Sequence, residues 1–512
     1  MTEPCDLPAV EARRMIGRKT LSPVELLESC LGRIGAVNGA VNAMVALDEG
    51  GARLAAKQAE AAVMAGETLG ALHGLPVGIK DLEETRGLRT TYGSPIFADF
   101  VPEADCGMVA RIRAAGGIVI GKTNTPEFGL GANTRNRVYG ATGNAFDNTK
   151  SAAGSSGGSG VALATGMAPL CSGSDTGGSL RNPAAFNGIV GYRPSAGLVC
   201  SEKRAHGWSP LPVLGPMARS VADACLLLSA MASDDARDPL AYTLHARPVR
   251  GEPALFHPPR GLDLGSLRLA FSEDLGQAPT ERVVRQAFQA RVAAIAPMFA
   301  RAEAAHPDCA GGDEAFEVLR AGMVLTAHAE KVRTRPQDCG PNIIANVEEG
   351  LRYSLADGAR ANVLQTKIYR DFQRFFGEHD VLITPAITIS PRNWRELYPK
   401  EIDGQTTRTY FHWLALAYYV TLTGHPAISL PLGLDAHGMP FGLQIVGPRG
   451  GDAFVLGVAA AIEAAFAGDA TLGRPVPDLA RLRTAPPIGG MAESAASTEA
   501  GRAARAAYQP PR

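Results

Sequence analysis

The chain has 512 residues, 46% of them hydrophobic and 20% charged, a composition that buries a sizeable core without disulfide or metal staples. Fifty basic residues face 51 acidic ones, for a formal net charge of −1. That balance offers no basic surplus for nucleic acid or for an anionic membrane. The eight cysteines (Cys5, Cys30, Cys106, Cys171, Cys200, Cys225, Cys309 and Cys339) contain no C-x-x-C pair, so neither a zinc knuckle nor a redox pair is expected.

Scattered thiols fit a reducing compartment. The opening residues Met1–Leu7 show no basic stretch leading into an apolar one, and no apolar run reaches about 18–20 residues. A cytoplasmic protein with no membrane association is expected.

The predicted elements begin with a helix over 21–36, with Ser22 as N-cap and Pro23 at its first position. Val24, Leu26, Leu27, Leu31 and Ile34 share a face of it. An alanine-rich helix follows over 51–66. Leu75–Ile79 reads as a strand that runs into a loop at Lys80 and Asp81. Residues 107–115 read as a helix, 118–120 as a buried strand, 157–168 as a helix and 170–172 as a short strand. Alternation of this kind predicts an α/β fold: a mixed, largely parallel central sheet covered by helices on both faces.

The Pro- and Arg-rich stretch 246–265 reads as a surface excursion. Long helical patterns lie over 281–300 and 357–376. Strand patterns resume at 381–384, 427–430 and 441–446. The expected organisation is an N-terminal helical region (1–70), a core (71–240), a variable insertion or cap (241–380), the C-terminal part of the core sheet (381–484) and a disordered tail (485–512).

Two Gly-Ser clusters carry the chemistry. Residues 151–160 (SAAGSSGGSG) run straight into the apolar segment Val161–Ala164. That placement suits a tight loop at a helix N-terminus better than a flexible linker. Residues 173–179 (GSDTGGS) follow a short strand. The Gly177-Gly178 pair lets backbone approach a ligand closely. The amides of Thr176, Gly177, Gly178 and Ser179 are then candidates for an oxyanion hole, with the Ser179 hydroxyl as nucleophile at its edge.

Such a nucleophile needs a base. None of the ten histidines lies near either cluster in sequence, although any of them is available through space. Lys80 is the other candidate. To act at neutral pH it must lose about 3 units from its usual pKa of about 10.4, roughly 4 kcal/mol. Burial and nearby positive dipoles supply such a shift.

Taken together, residues 73–200 resemble the amidase signature family. The likeness is carried by HGLPVGIKD (73–81), GKTNTPEF (121–128), GSSGGS (154–159) and GSDTGGSLR (173–181). It extends through 183–184, 188–191 and 215–223, and more weakly into 424–431. The resemblance implies a Ser–cis-Ser–Lys triad: Ser179 as nucleophile, Ser155 as bridging serine after a cis peptide from Gly154, and Lys80 as base. Ser179 stands 24 positions after Ser155, the family spacing, whereas Ser156 and Ser174 do not keep it. Three positions depart from common family usage: Ala153 for glycine, Leu180 for isoleucine and Arg193 for lysine. None of these is a catalytic group.

The expected activity is hydrolysis of a non-peptide carboxylic amide through an acyl-enzyme, releasing ammonia or an amine, with no cofactor and no metal. The expected partner is a small-molecule amide, of aryl, alkyl or anilide type, and the resemblance allows a homodimer. Phe128, Trp208 and the aromatic stretch 407–420 are candidates to line the substrate pocket, within loops at about 125–140, 200–215 and 300–420.

Three alternatives are weighed against this reading. Residues 154–158 match G-x-S-x-G, a nucleophile elbow that would make Ser156 the nucleophile, but residues 148–153 are not the strand that motif requires. The same family includes the glutamine-hydrolysing component of a tRNA-dependent amidotransferase. A non-catalytic binding protein could also keep the fold.

Overall fold

The computed structural model describes residues 3–241 and 255–488. The first long helix, Pro23–Val41, starts where its capping chemistry places it. Ser22 and Glu25 form a reciprocal capping box and Pro23 opens the helix, satisfying donors that an α-helix leaves unpaired at its start. Leu26, Leu27, Cys30, Leu31, Ile34 and Val37 are buried along it. The helix runs beyond the expected residue 36 because its apolar period continues through Val37 and Val41. The second helix, Glu49–Ala65, is capped by Asp48, which accepts from the Gly51 N–H at 2.9 Å.

Among the described residues the centre is an eleven-stranded sheet. In spatial order its strands are Met44–Leu47, Ile118–Thr123, Pro76–Lys80, Leu170–Asp175, Val213–Ala218, Val190–Arg193, Ala427–Leu434, Pro440–Val446, Val381–Pro385, Arg268–Phe271 and Arg301–Ala304. The sheet is mixed. Parallel pairing is gathered in two blocks: the 118–123, 76–80 and 170–175 strands, and the 381–385, 268–271 and 301–304 strands. The strands between the blocks pair antiparallel.

Central strands such as Pro76–Lys80, Ile118–Thr123 and Val213–Ala218 are buried at every position, as expected when helices cover both faces. Alternation along a strand shows the two faces directly. Val381 and Ile383 enter one hydrophobic cluster while Leu382 enters another. Helices Val221–Met231, Arg282–Ile295 and Asp452–Ala465 pack on the first face. Helices Gly157–Ala164 and Arg181–Asn187 belong to the second.

The stretch expected as an insertion, 241–380, contributes two short strands, Arg268–Phe271 and Arg301–Ala304, to one end of this sheet. Both are brief, and the outer one is partly exposed and charged, so no apolar run marks them. Besides helix Arg282–Ile295, the stretch carries helices Gly312–Thr334, Pro341–Gly350 and Leu355–Glu378, the first of which packs on the other two. The last described helix, Leu479–Thr484, ends where the sequence places the start of the tail. Residues 489–512 of that tail, and 242–254, which include 246–254 of the surface excursion, lie outside the described residues.

Two parallel neighbours fix the site. The Pro76–Lys80 and Leu170–Asp175 strands pair Val77 with Leu170 and Gly78 with Cys171, so both deliver their carboxyl ends to the same edge. Ligands of open α/β sheets gather at such an edge. Helix Gly157–Ala164 is held against this edge by close backbone contact. The Gly158 N–H donates to Asn124 O at 3.2 Å, and a Cβ on Gly158 would run into the Asn124 backbone and Ala43 O. Gly158→Ala is therefore expected to destabilise the protein by about 1–3 kcal/mol through overpacking. The check is the midpoint shift in urea-induced unfolding.

Candidate active site

Lys80 ends its strand, fully buried. Its backbone N–H donates to Ser172 Oγ at 3.0 Å. Its Nζ donates to three hydroxyls: Ser155 Oγ at 2.7 Å, Ser156 Oγ at 2.8 Å and Ser174 Oγ at 2.9 Å. Burial brings the ammonium down to about 7, against the opposing pull of the Glu83 and Asp175 carboxylates. Near neutral pH the amine is therefore substantially uncharged. A neutral amine has two N–H donors and one lone pair. With three hydroxyls around it, one must turn its proton toward nitrogen.

The serines come from two loops. Ser155 and Ser156 precede helix Gly157–Ala164, and the Gly154–Ser155 peptide is cis. Ala153, just before it, has φ 57°, in the left-handed region where glycine is at ease. This accounts for the glycine common at that position in the resembling family. Here the Ala153 methyl is buried in an apolar cluster, a gain of about 0.8 kcal/mol that offsets part of the roughly 1–2 kcal/mol conformational cost.

The second loop, 174–179, is braced from below by a buried ion cluster. Asp175 accepts from Arg181 Nη2 at 2.9 Å and Nε at 3.0 Å, and from Arg193 Nη1 at 3.2 Å. All three side chains are sealed from solvent. The two guanidinium groups hold the Asp175 carboxyl far below the usual range, outweighing its burial. Asp175 also accepts from the Gly178 N–H at 2.9 Å and the Leu180 N–H at 3.2 Å. Gly178 itself has φ 107°, which only glycine adopts readily.

One of the four expected donors has another partner: the Gly178 N–H donates to Asp175, and Gly178 is absent from the cavity wall. Thr176, Gly177 and Ser179 do line the cavity, together with Ser155 and Ser174. The cavity has a volume of about 360 Å³, within the range of small-molecule sites.

Of the expected pocket residues, Phe128 lines this cavity and Trp208 does not. Phe128 packs among Tyr92, Phe97 and His328, with ring centroids 6.4, 6.1 and 4.6 Å away. Trp208 is 75% exposed; its neighbours Ala205 and His206, also exposed, border the cavity instead. From the 407–420 stretch, Tyr410, Phe411 and Leu414 reach the cavity, while Trp413, Tyr418 and Tyr419 are buried core.

Several residues escape a reading of the sequence. Ser156 and Ser174 share the Lys80 amine, although neither keeps the family spacing. Asp175, Arg181 and Arg193 form the brace. A second buried lysine, Lys122, donates to Glu83 O and, at 2.8 Å, to Thr85 Oγ1, holding the 83–85 loop that borders the cavity. The Gly121-Lys122-Thr123-Asn124 motif is visible in the sequence, but its partner loop is not. The cap helix Gly312–Thr334 supplies Phe316, Arg320, Met323, Val324, Ala327 and His328 to the wall, a stripe at helical spacing.

Comparisons with known proteins show the family. The sequence profile of the family described as Amidase matches residues 25–456. The chain belongs to the amidase signature family, whose members hydrolyse carbon–nitrogen bonds of amides. It is 33% identical to an acylamidase of Rhodococcus erythropolis over 90% of this chain and 95% of that one. It is 35% identical to a glutamyl-tRNA(Gln) amidotransferase subunit of Acidothermus cellulolyticus, over 90% and 94%. In three dimensions it matches the crystal structure of a bacterial aryl acylamidase with a TM-score of 0.82 at 25% identity, covering 90% of this chain and 96% of the other. Among the described residues no helix is long and apolar enough to cross a membrane.

Breaking the buried brace leaves two guanidinium groups without their carboxylate, a loss of the order of 3–5 kcal/mol. Asp175→Asn is expected to destabilise the protein by about that much and to lower activity by loosening the 174–179 loop. Urea denaturation followed by circular dichroism, paired with amidase assays, reads both effects.

Proposed function

We propose that this protein hydrolyses a non-peptide carboxylic amide through an acyl-enzyme on Ser179, with Lys80 as base and Ser155 as proton relay. The observation that carries this reading is the buried Lys80 amine, brought down to about 7 and 2.7 Å from Ser155 Oγ. A neutral amine in that position accepts the Ser155 proton, and Ser155 accepts the proton of Ser179 as its Oγ bonds to the amide carbon. The amides of Thr176, Gly177 and Ser179, which line the cavity, receive the developing oxyanion in this mechanism, the loop being held by Asp175. The proton then passes back to the leaving nitrogen as the C–N bond breaks, freeing ammonia or an amine. Water, deprotonated by the same relay, cleaves the Ser179 ester. This chemistry requires no cofactor.

An aryl or alkyl amide or anilide fits the cavity wall of Leu82, Phe128, Leu130, Phe316 and Phe411, and the acylamidase relatives support that class. A second reading draws on the amidotransferase relatives: release of ammonia from glutamine in a complex with partner proteins. Ammonia release from glutamine, with and without such partners, set against anilide hydrolysis by the chain alone, separates the two. The eight cysteines are buried free thiols, which supports a cytoplasmic location.

Ser179→Ala is expected to abolish labelling by a fluorophosphonate probe and to reduce kcat at least ~10³-fold. Near wild-type turnover in that variant would remove the nucleophile assignment. Lys80→Met is expected to lose roughly 10²–10⁴-fold, the usual worth of a positioned base. Because the neutral amine is the active form, kcat/KM is expected to rise with pH through an apparent pKa near 7 and then level off. A profile flat from about pH 6 to 9 would contradict Lys80 as the base.

A further inference from the structure

The cavity wall contains one buried cation with no acid beside it. Arg320 is 6% exposed and lines the cavity. Its Nη1 donates to Asn346 Oδ1 at 2.6 Å and its Nη2 to the Tyr410 hydroxyl. The guanidinium stacks on Phe411 at 4.8 Å and Tyr410 at 5.2 Å. All of these partners are neutral, and among the described residues no carboxylate lies within ion-pair distance of it.

The other arginine and lysine on the wall are different. Lys203 pairs with Glu84, and Arg204 pairs with Asp238 at 2.9 Å. A desolvated guanidinium normally keeps an acid close, since burial of an uncompensated charge is costly. The planar fork of arginine suits a carboxylate.

A second group marks the same place. His328, two turns further along the same helix, also lines the cavity, and its Nδ1 is buried without a partner. Burial and the neighbouring Lys331 and Arg320 charges hold the ring neutral, down at about 3. The acids of the wall lie on another segment: Glu83 is close enough to Lys80 to act on its charge, and Glu84 is taken by Lys203. An anionic group is thus disfavoured at the Lys80 end and favoured at the Arg320 end.

We propose that the substrate of this site is an amide bearing a carboxylate, which the Arg320 guanidinium on the cap helix receives while the amide lies at Ser179. The inference rests on the hydrolase reading given above and adds the substrate's charge. A ruler for the spacer is built into the helix. Phe316 approaches Gly177 so closely that a Cβ there would lie 3.1 Å from its ring, and Arg320 follows four residues later, about 6 Å along the axis. The carboxylate is therefore separated from the scissile carbonyl by a short alkyl or aryl spacer that runs along Phe316.

The test is equilibrium binding to the Ser179→Ala protein by calorimetry. Two acids are used, glutaric acid monoanilide with its carboxylate on the acyl side and 4-acetamidobenzoic acid with it on the amine side, each against its own methyl ester. At least one acid is expected to bind tenfold or more tightly than its ester, and that preference is expected to fall within about twofold when Arg320→Met is added. Arg320→Lys, which keeps the charge but not the fork, is expected to retain part of it.

Equal binding of acid and ester in both pairs overturns the proposal before any Arg320 variant is made. A preference that survives Arg320→Met in protein with an unchanged melting profile overturns it as well. Failure of the hydrolase reading shows separately, as anilide turnover that persists in Ser179→Ala, while the acid-to-ester comparison is still read.

Discussion

The burial of one lysine amine among hydroxyls is the constraint on which the rest of the structure depends. In water an ammonium keeps its proton well above neutral pH; at the end of the Pro76–Lys80 strand it does not, because burial removes solvent and the Glu83 and Asp175 carboxylates offset only part of that loss. The serines at 155, 156 and 174 satisfy the nitrogen in either protonation state. An ammonium donates to all three, whereas a neutral amine donates to two and accepts from the other. Such a shell lets a proton move without leaving a buried polar group unpaired.

Keeping that arrangement requires two glycine-rich loops to meet at one point, and the fold supplies a separate restraint for each. The 154–156 loop is drawn in by the close packing of Gly158 on Asn124. The 174–179 loop is braced by Asp175, whose carboxylate gathers two arginines and two backbone amides. Here Arg193 stands where lysine is common in the family, and it reaches both the Asp175 carboxylate and, at 2.8 Å, its backbone oxygen. The buried ion cluster therefore serves geometry. It aims the loop and takes the Gly178 N–H out of the set that faces the cavity.

The cap walls the cavity above this shared core. Its helix Gly312–Thr334 lays Phe316, Arg320 and His328 along the cavity, while the Phe128 and Tyr410 segments complete the wall. These side chains come from parts of the chain far apart in sequence, so substrate preference can change without disturbing the Lys80 neighbourhood.

Motif and period in the sequence by themselves determined the family, the mixed α/β sheet with helices on both faces, and the three candidate groups Lys80, Ser155 and Ser179. Those features are local: an N-cap at Ser22 followed by Pro23, short strand runs at 75–79 and 170–172, glycine clusters of set spacing. The tertiary structure alone decided what each loop meets. It placed Ser156 and Ser174 on the lysine and turned the Gly178 N–H to Asp175. It turned Trp208 outward and joined the 268–271 and 301–304 strands to the sheet. Arg320 and His328 are invisible in the sequence for the same reason. The sequence between the helical patterns at 281–300 and 357–376 shows no clear period, and only the packing of the cap helix Gly312–Thr334 over the loops at the sheet edge makes its stripe the wall of a cavity.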